Sequence, residues 1–119
     1  MKDFSRSNRL SSQISRELAN FVLGNPALPH GMIVSINEVN LSRDLRNCKI
    51  YYSVYGDDKA VETAAEFFRN HYGQIRKTLA DNTRMRFIPE LKFIYDPSIE
   101  RGQRVSELLD KIKQDEQED

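Results

Sequence analysis

A glycine interrupts a helical pattern in the second half of the chain, and an alternating stretch follows soon after it. Ala64 and Phe68 lie at helical spacing before Gly73, and the helical pattern resumes at Ile75 and Leu79. Glycine costs about 1 kcal/mol relative to alanine inside a helix, and it readily permits a bend. The pattern therefore predicts two helices joined by a bend at Asn70–Gly73, the second shorter than the first.

The alternating stretch predicts a strand over residues 86–95, directly after the second of these helices. One face of that strand carries five apolar residues: Phe87, Pro89, Leu91, Phe93 and Tyr95. Pro89 cannot donate a ladder hydrogen bond, so the strand either has an edge side or begins pairing after Pro89. Beyond Asp96-Pro97, the spacing of Val105, Leu108 and Ile112 predicts a final helix.

The first half of the chain predicts a helix followed by two strands. Leu10, Ile14 and Leu18 give residues 5–23 an amphipathic helical pattern, with Ser5 or Ser7 as the N-cap. After a loop at 25–31, strands are predicted at 32–41 and 48–55, paired antiparallel. The apolar alternation slips by one residue near Asn37 and Glu38, which indicates a bulge.

Size and composition restrict the class of protein. The chain has 119 residues, which fits one domain, and no apolar run approaches the roughly 18 residues that a membrane span needs. No apolar segment of signal-peptide type follows Met1. The single cysteine, Cys48, can form no internal disulfide, which suits a reducing compartment. We therefore expect a soluble, monomeric, cytoplasmic protein with no membrane contact.

Charge is unevenly distributed although the formal net charge is zero. Residues 1–106 hold 16 basic and 12 acidic groups, and residues 107–119 form an acidic tail. The prediction is an RNA-binding domain at 1–106 followed by that tail. Between residues 69 and 92 only Asp81 and Glu90 oppose six basic residues: Arg69, Arg76, Lys77, Arg84, Arg86 and Lys92. This excess of positive charge beside Gly73 is suited to a phosphate backbone.

No set of residues in the chain predicts catalysis. One cysteine and two histidines are too few for an ordinary zinc site, so no metal and no cofactor is expected. Phosphate-loop and dinucleotide fingerprints are absent from the sequence. Cys48 with His71 is the one conceivable nucleophilic pair, and a cysteine in a strand pattern is more often a packed residue. We expect a protein that is not an enzyme, with a small nuclease as the enzyme class left open.

Two interpretations of the basic residues beside Gly73 stand at this point. Charged residues on a helix and a strand end often only face solvent. Alternatively, a helix that starts after a glycine presents backbone N–H groups to phosphate, and arginine adds bidentate phosphate contacts. Under this second interpretation Arg76, Lys77, Arg84 and Arg86 hold the phosphates of an RNA.

The chain resembles a type II KH-like domain of the ribosome-binding factor A family of bacteria. The resemblance covers nearly the whole chain, and four groups of residues carry it in order: Leu41-Ser-Arg-Asp-Leu45 with Lys49-Ile-Tyr-Tyr-Ser53; Gly73-x-Ile-Arg76; Met85-Arg-Phe-Ile-Pro-Glu-Leu-Lys-Phe93 with Asp96; and Ser98, Glu100, Gly102 and Arg104. The family carries an Ala-x-Gly bend where this chain has His71-Tyr-Gly73. The chain also departs from the family around Asn25-Pro-Ala27.

The resemblance implies an α+β domain of order α-β-β-α-(Gly bend)-α-β with a C-terminal helical extension. It implies a non-enzymatic assembly factor that binds the immature small (30S) ribosomal subunit and its 16S rRNA. Such a factor supports rRNA processing, late 30S maturation and growth in the cold, beside other assembly factors as candidate partners. Gly73 would then shape the bend, and four more arginines are secondary RNA contacts: Arg43, Arg46, Arg101 and Arg104.

A protein-interaction module is the alternative function. In that case the amphipathic first helix or the last helix docks a protein partner, and the basic face is incidental. Complex formation that does not require RNA would favour this alternative.

Overall fold

The computed structural model describes residues 2–29 and 31–97, and it describes side chains from residue 6 onward. Three helices and three strands follow one another along the chain: α1 Lys2–Val22, β1 Ile33–Leu41, β2 Asn47–Tyr55, α2 Asp58–Asn70, α3 Tyr72–Asn82 and β3 Glu90–Tyr95. This order confirms the predicted α+β class and the α-β-β-α-α-β succession. The predicted final helix and the acidic tail at 107–119 lie outside the described residues.

The sheet has the order β1-β2-β3 and contains both kinds of strand pairing. β1 and β2 form the predicted antiparallel pair, and β2 pairs with β3 in parallel. Parallel neighbours need a long crossover, which α2 and α3 supply here. The crossover therefore brings the chain back to the edge of β2 that β1 leaves open.

A bulge lies at the position that the one-residue slip predicts. Ile36 pairs with Tyr52 and Glu38 with Tyr51, so Asn37 has no partner in the register. The Ser53 hydroxyl donates to Asn37 Oδ1 at 3.3 Å. The bulge keeps Val34 and Ile36 before it, and Val39 and Leu41 after it, on the core side of β1.

One continuous core joins the helices to the sheet. Ile14 and Leu18 of α1 and Ile50 of β2 are almost fully buried. Phe68 of α2 stacks on Phe93 of β3, with ring centroids 4.3 Å apart and planes inclined by 13°. The apolar side of α1 is therefore used inside the domain. That face of α1 is therefore not open to a protein partner, which leaves the last helix, outside the described residues, for the alternative of a protein-interaction module.

The boundary between α2 and α3 lies at His71, two residues before the glycine. Asp57 caps α2, since its Oδ1 accepts from the Ala60 N–H at 2.9 Å. At the other end, the backbone N–H of His71 donates to the Phe67 carbonyl at 3.0 Å, and the ring Nδ1 lies 2.9 Å from the same oxygen. Gly73 lies in the first turn of α3, its φ is not in the left-handed region, and a Cβ there would meet nothing within 4 Å. The bend itself therefore does not require a glycine.

Two boundaries differ from the sequence prediction. α1 begins at Lys2, so Ser5 and Ser7 lie inside the helix and do not cap it. β3 begins at Glu90, four residues later than expected, because Pro89 has no N–H to donate. Phe87, predicted on the core face, is 78% exposed in the irregular segment before β3. No helix in the described part of the chain is long and apolar enough to span a bilayer.

Candidate nucleic-acid interface

Arginines from three separate segments surround one groove of about 1000 Å³. The segments are the N-terminal half of α1, the β1–β2 turn and the α3–β3 loop. The groove-facing residues of these segments are Arg6, Arg9, Leu10, Gln13, Asp44, Leu45, Arg46, Arg84, Met85, Arg86, Phe87 and Ile88. We call this the arginine groove, and among the residues that the structure describes, its five arginines face one carboxylate, that of Asp44.

α1 contributes Arg6, Arg9 and Gln13, which occupy one side of the helix at intervals of three and four residues. Ser7, between the two arginines, is buried, and its hydroxyl donates to the Leu41 carbonyl at 3.0 Å. This bond joins the first turns of α1 to the end of β1. The position of both arginines relative to the β1–β2 turn is fixed by it.

The β1–β2 turn is held by a dense set of hydrogen bonds. Asp44 Oδ1 accepts from the Ser42 hydroxyl at 2.6 Å and from the Arg46 N–H at 3.1 Å. The Asn47 N–H donates to Ser42 Oγ at 3.0 Å. Leu45 has a φ of +62°, a left-handed conformation that few non-glycine residues adopt. The strained turn presents Arg46 on the groove wall.

Asp44 is ionised at neutral pH. The hydrogen bond from Ser42, followed by the one from the Arg46 backbone, lowers the pKa of this carboxyl below its ordinary value of 3.8. The groove therefore carries a formal surplus of four positive charges. Within the described part of the chain, the groove arginines form no ion pair that would neutralise this surplus.

The α3–β3 loop contributes Arg84, Arg86 and Phe87. Thr83 ends α3, and its hydroxyl donates to the Leu79 carbonyl at 2.6 Å. Arg76 holds the other end of the loop, just before β3. Its guanidinium donates from Nη1 to the Pro89 carbonyl at 2.8 Å and from Nη2 to the Ile88 carbonyl at 3.1 Å. With both ends fixed, the loop projects its two exposed arginines and the exposed Phe87 ring into the groove.

One backbone and one side-chain hydrogen bond join the loop to the other two segments. The Glu90 N–H donates to the Arg46 carbonyl at 2.8 Å, which ties the start of β3 to the β1–β2 turn. Asn82 Nδ2 donates to Glu17 Oε2 at 2.9 Å, which ties the end of α3 to α1. The groove is thus assembled from segments that are remote in sequence but directly connected in the fold.

The predicted RNA-binding residues divide among several places. Arg46, Arg84 and Arg86 meet in the arginine groove. Arg43 lines a smaller cleft of about 230 Å³ beside Asn8 and Ser11 of α1. Arg101 and Arg104 lie outside the described residues.

The three residues predicted on α3 do not join the groove. Arg76 donates to the loop carbonyls, and its guanidinium carbon lies 5.9 Å from the centroid of the Tyr72 ring. Lys77 is exposed on the surface of α3. Gly73 is at the opposite end of α3, about 14 Å along the helix axis from Asn82, its last residue, at 1.5 Å per residue. The arginines thus concentrate at the C-terminal end of α3, away from the bend.

Sequence reasoning missed Arg6 and Arg9 as residues of the candidate site. Their signal was the shared side of α1 that they form with Gln13. This shared side indicates a site only once the fold brings the loop that bears Arg84 to the same groove. In the described ranges, no group of three His, Cys, Asp or Glu side chains is arranged to hold a metal ion.

Comparison with known proteins places this fold in one family. The model of the family described as Ribosome-binding factor A matches residues 6–109. Ribosome-binding factor A of Halothermothrix orenii is 35% identical over 114 residues, which cover 96% of this chain and 93% of the relative. That of Nitrosomonas europaea is 36% identical over 109 residues, covering 92% of this chain and 93% of the relative.

Solved structures agree with the sequence matches. The crystal structure of ribosome-binding factor A from Thermus thermophilus superposes with a TM-score of 0.62 and 25% identity, covering 75% of this chain and 94% of that one. A homology model of the Thermus thermophilus protein, fitted into a cryo-EM map of its complex with the 30S subunit, shares the fold, with a TM-score of 0.61 at 24% identity. It covers 75% of this chain and 93% of that chain. The chain therefore belongs to the ribosome-binding factor A family.

Proposed function

We propose that this protein is a ribosome assembly factor that binds the immature small ribosomal subunit through its rRNA. The observation that carries the proposal is the arginine groove, in which five arginines face one carboxylate. Arginine binds phosphate oxygens in bidentate fashion, and an unneutralised cluster attracts a polyanion over a Debye length of roughly 10 Å. The family relatives are named for ribosome binding, and one was fitted into a 30S complex, which supports the choice of RNA.

The finer role follows from this assignment. The protein binds the 30S particle as a monomer in the cytoplasm, supports 16S rRNA processing and late maturation, and leaves the mature particle. It acts by binding and not by catalysis, and it sustains growth in the cold. Residues 1–106 form the RNA-binding domain, and 107–119 are an acidic tail. In this assignment Arg6 and Arg9 join the earlier set of phosphate contacts.

The first experiment compares two triple variants in binding to isolated small subunits over a salt series. The groove variant carries Arg9→Ala, Arg84→Ala and Arg86→Ala. The matched control carries Arg16→Ala, Lys49→Ala and Lys59→Ala, which remove the same charge from exposed positions outside the groove. Each lost phosphate contact should flatten the slope of log affinity against log salt by roughly 0.7–0.9.

The groove variant should therefore lose about two units of slope, and the control should keep the slope of the parent. Equal slopes for the groove variant and the parent would overturn the assignment of the site. A Lys77→Ala variant measured in parallel tests whether RNA also lies along α3 towards the bend.

A protein partner is a second candidate, favoured by one observation. Ile33 and Tyr55 are Cα partners in the β1–β2 register, and their side chains are 57% and 72% exposed. Such a pair at the end of a sheet is suited to an apolar contact. Binding to small subunits that survives the groove variant and fails with Ile33→Ser and Tyr55→Ser would favour this candidate.

A further inference from the structure

The arginine groove holds an exposed aromatic ring among its cations. Phe87 is 78% exposed, and the guanidinium carbon of Arg86 lies 6.0 Å from the centroid of its ring. The loop anchors described above keep the ring out of the core. A phenylalanine that takes no part in the core and stands beside arginines offers a flat apolar face to a ligand that also carries negative charge.

A second feature of the groove is an unpartnered acceptor on its α1 wall. Gln13 lines the groove, and its Oε1 is buried without a hydrogen-bond donor among the described residues. A buried polar atom left unpaired is rare in folded proteins, and each instance calls for an explanation. Because the Gln13 side chain is only partly buried, rotation of its amide would bring Oε1 to the groove surface, where an N–H group of a ligand would supply the missing donor.

The volume of the groove limits the size of the ligand that it can hold. At about 1000 Å³ it lies at the upper end of the range for small-molecule sites, which is ample for one nucleotide with its flanking phosphates. Bases in an RNA duplex are stacked and paired, so they offer no free face to Phe87, and their Watson–Crick N–H groups are occupied and not available to Gln13. Single-stranded RNA offers both.

Building on the proposed RNA-binding function, we propose that the arginine groove holds one unstacked nucleotide of single-stranded RNA. Its base lies on the Phe87 ring and donates an N–H to Gln13 Oε1. The flanking phosphates contact the surrounding arginines. The phosphate contacts are independent of sequence, whereas the aromatic ring and the amide require that a base has left its stack.

The test separates the contribution of the base to affinity from that of the phosphates. It uses two RNA octamers of equal charge. One octamer is abasic at every position, and the other is abasic at every position except one central adenosine. The ratio of their affinities measures the contribution of the base alone. In the parent protein the adenosine octamer should bind roughly 5- to 150-fold more tightly, the range expected for one base stacked on an aromatic ring.

Three variants assign that ratio to the groove. Phe87→Ala should bring the ratio close to one, and Phe87→Tyr should restore it. Tyr55→Ala, which removes an aromatic ring of similar exposure outside the groove, should leave the parent ratio unchanged. Gln13→Met keeps the length of the side chain and removes the amide, so it should lower the ratio severalfold.

The outcomes distinguish this inference from the proposed function. A ratio near one in the parent, or an unchanged ratio in Phe87→Ala, overturns the unstacked-nucleotide site. In that case the assembly-factor role stands as long as the arginine triple variant still weakens binding to the abasic octamer and to small subunits. No measurable binding of either octamer by the parent also overturns the inference, and the small-subunit measurement then decides the proposed function separately.

Discussion

Arg76 joins α3 to the chain entering β3, because its Nη1 donates to the carbonyl oxygen of Pro89 at 2.8 Å. A second donor of the same guanidinium reaches the carbonyl of Ile88 at 3.1 Å. Both acceptors precede β3, where the backbone has not yet entered the sheet. Arg76 thus supplies the hydrogen bonds that the strand ladder does not supply, and it fixes the shape of the loop that carries Arg84, Arg86 and Phe87.

Replacing Arg76 should therefore reduce stability. We expect Arg76→Ala to lower the free energy of unfolding by about 2 kcal/mol, the usual scale for hydrogen bonds made by a charged donor. Arg76→Lys should recover only part of the loss, since an ammonium group does not reproduce the two-pronged geometry. Urea unfolding measures both, with the exposed neighbour Lys77→Ala as the control. Full recovery by lysine would show that charge, and not the fork of donors, is what the loop requires.

Gly73 should tolerate a side chain. Because a Cβ would meet nothing within 4 Å and the backbone is not left-handed, Gly73→Ala should raise the free energy of unfolding by about 0.5–1 kcal/mol. Thermal or urea unfolding checks the sign. Binding to small subunits, measured on the same variant, should be unchanged if RNA contacts the arginine groove only. Loss of binding by a more stable variant would instead place RNA close to the bend.

Ser7 should stabilise the folded protein through its buried hydroxyl. Its buried hydroxyl donates to the Leu41 carbonyl at 3.0 Å, so Ser7→Ala should lower the free energy of unfolding by about 1 kcal/mol. Ser12→Ala on the exposed side of α1 is the matched control and should change stability by less than about 0.5 kcal/mol. Equal effects from the two substitutions would contradict the role given to the Ser7 bond.

Cys48 should be unreactive in the folded protein. Burial raises the pKa of its thiol from 9.0 to about 12, so little thiolate exists near neutral pH. A thiol reagent at pH 8 should modify Cys48 slowly in buffer and rapidly in denaturing urea. Fast modification of the folded protein would show that the thiol is accessible.

The same pKa shift predicts a loss of stability in alkali. Between pH 9 and 12 the unfolded chain releases the Cys48 proton while the folded chain retains it. The free energy of unfolding therefore decreases as pH rises through this window. Cys48→Ala should weaken that dependence, and an identical pH profile for parent and variant would contradict the assignment.

Local patterns predicted the elements of the fold well. The bulge at Asn37 could be predicted from the sequence, because the apolar alternation changes phase between Ile36 and Val39. In a half-buried strand every second residue faces the core, so an extra residue is visible as a break in the alternation. The cap at Asp57 is likewise a local property. The start of β3 was placed too early, because Phe87 continues the alternating pattern although its backbone is not paired.

The candidate site was predicted less completely than the fold. Arg46, Arg84 and Arg86 were identified from charge and family resemblance, but the position of the site relative to Gly73 was not. Arg6 lies 40 residues before Arg46 in the sequence, and only tertiary packing of α1 against β1 and α3 brings them to one groove. The exposed Phe87 was missed for the same reason, since the hydrogen bonds from Arg76 that hold its loop join distant residues.

The parallel pairing of β2 and β3 also determines the stage of folding at which the arginine groove forms. Residues 56–89 separate the two strands, so β3 cannot form by closure of a tight turn and must wait for both helices. Until it docks, the Arg46 carbonyl lacks the Glu90 N–H, and the two arginine-bearing loops are not tied together. An immature copy of this protein therefore carries the same positive charge as a finished one without its groove. Under the proposed function, its attraction to RNA would be indiscriminate, and choice of site would be acquired with the last strand.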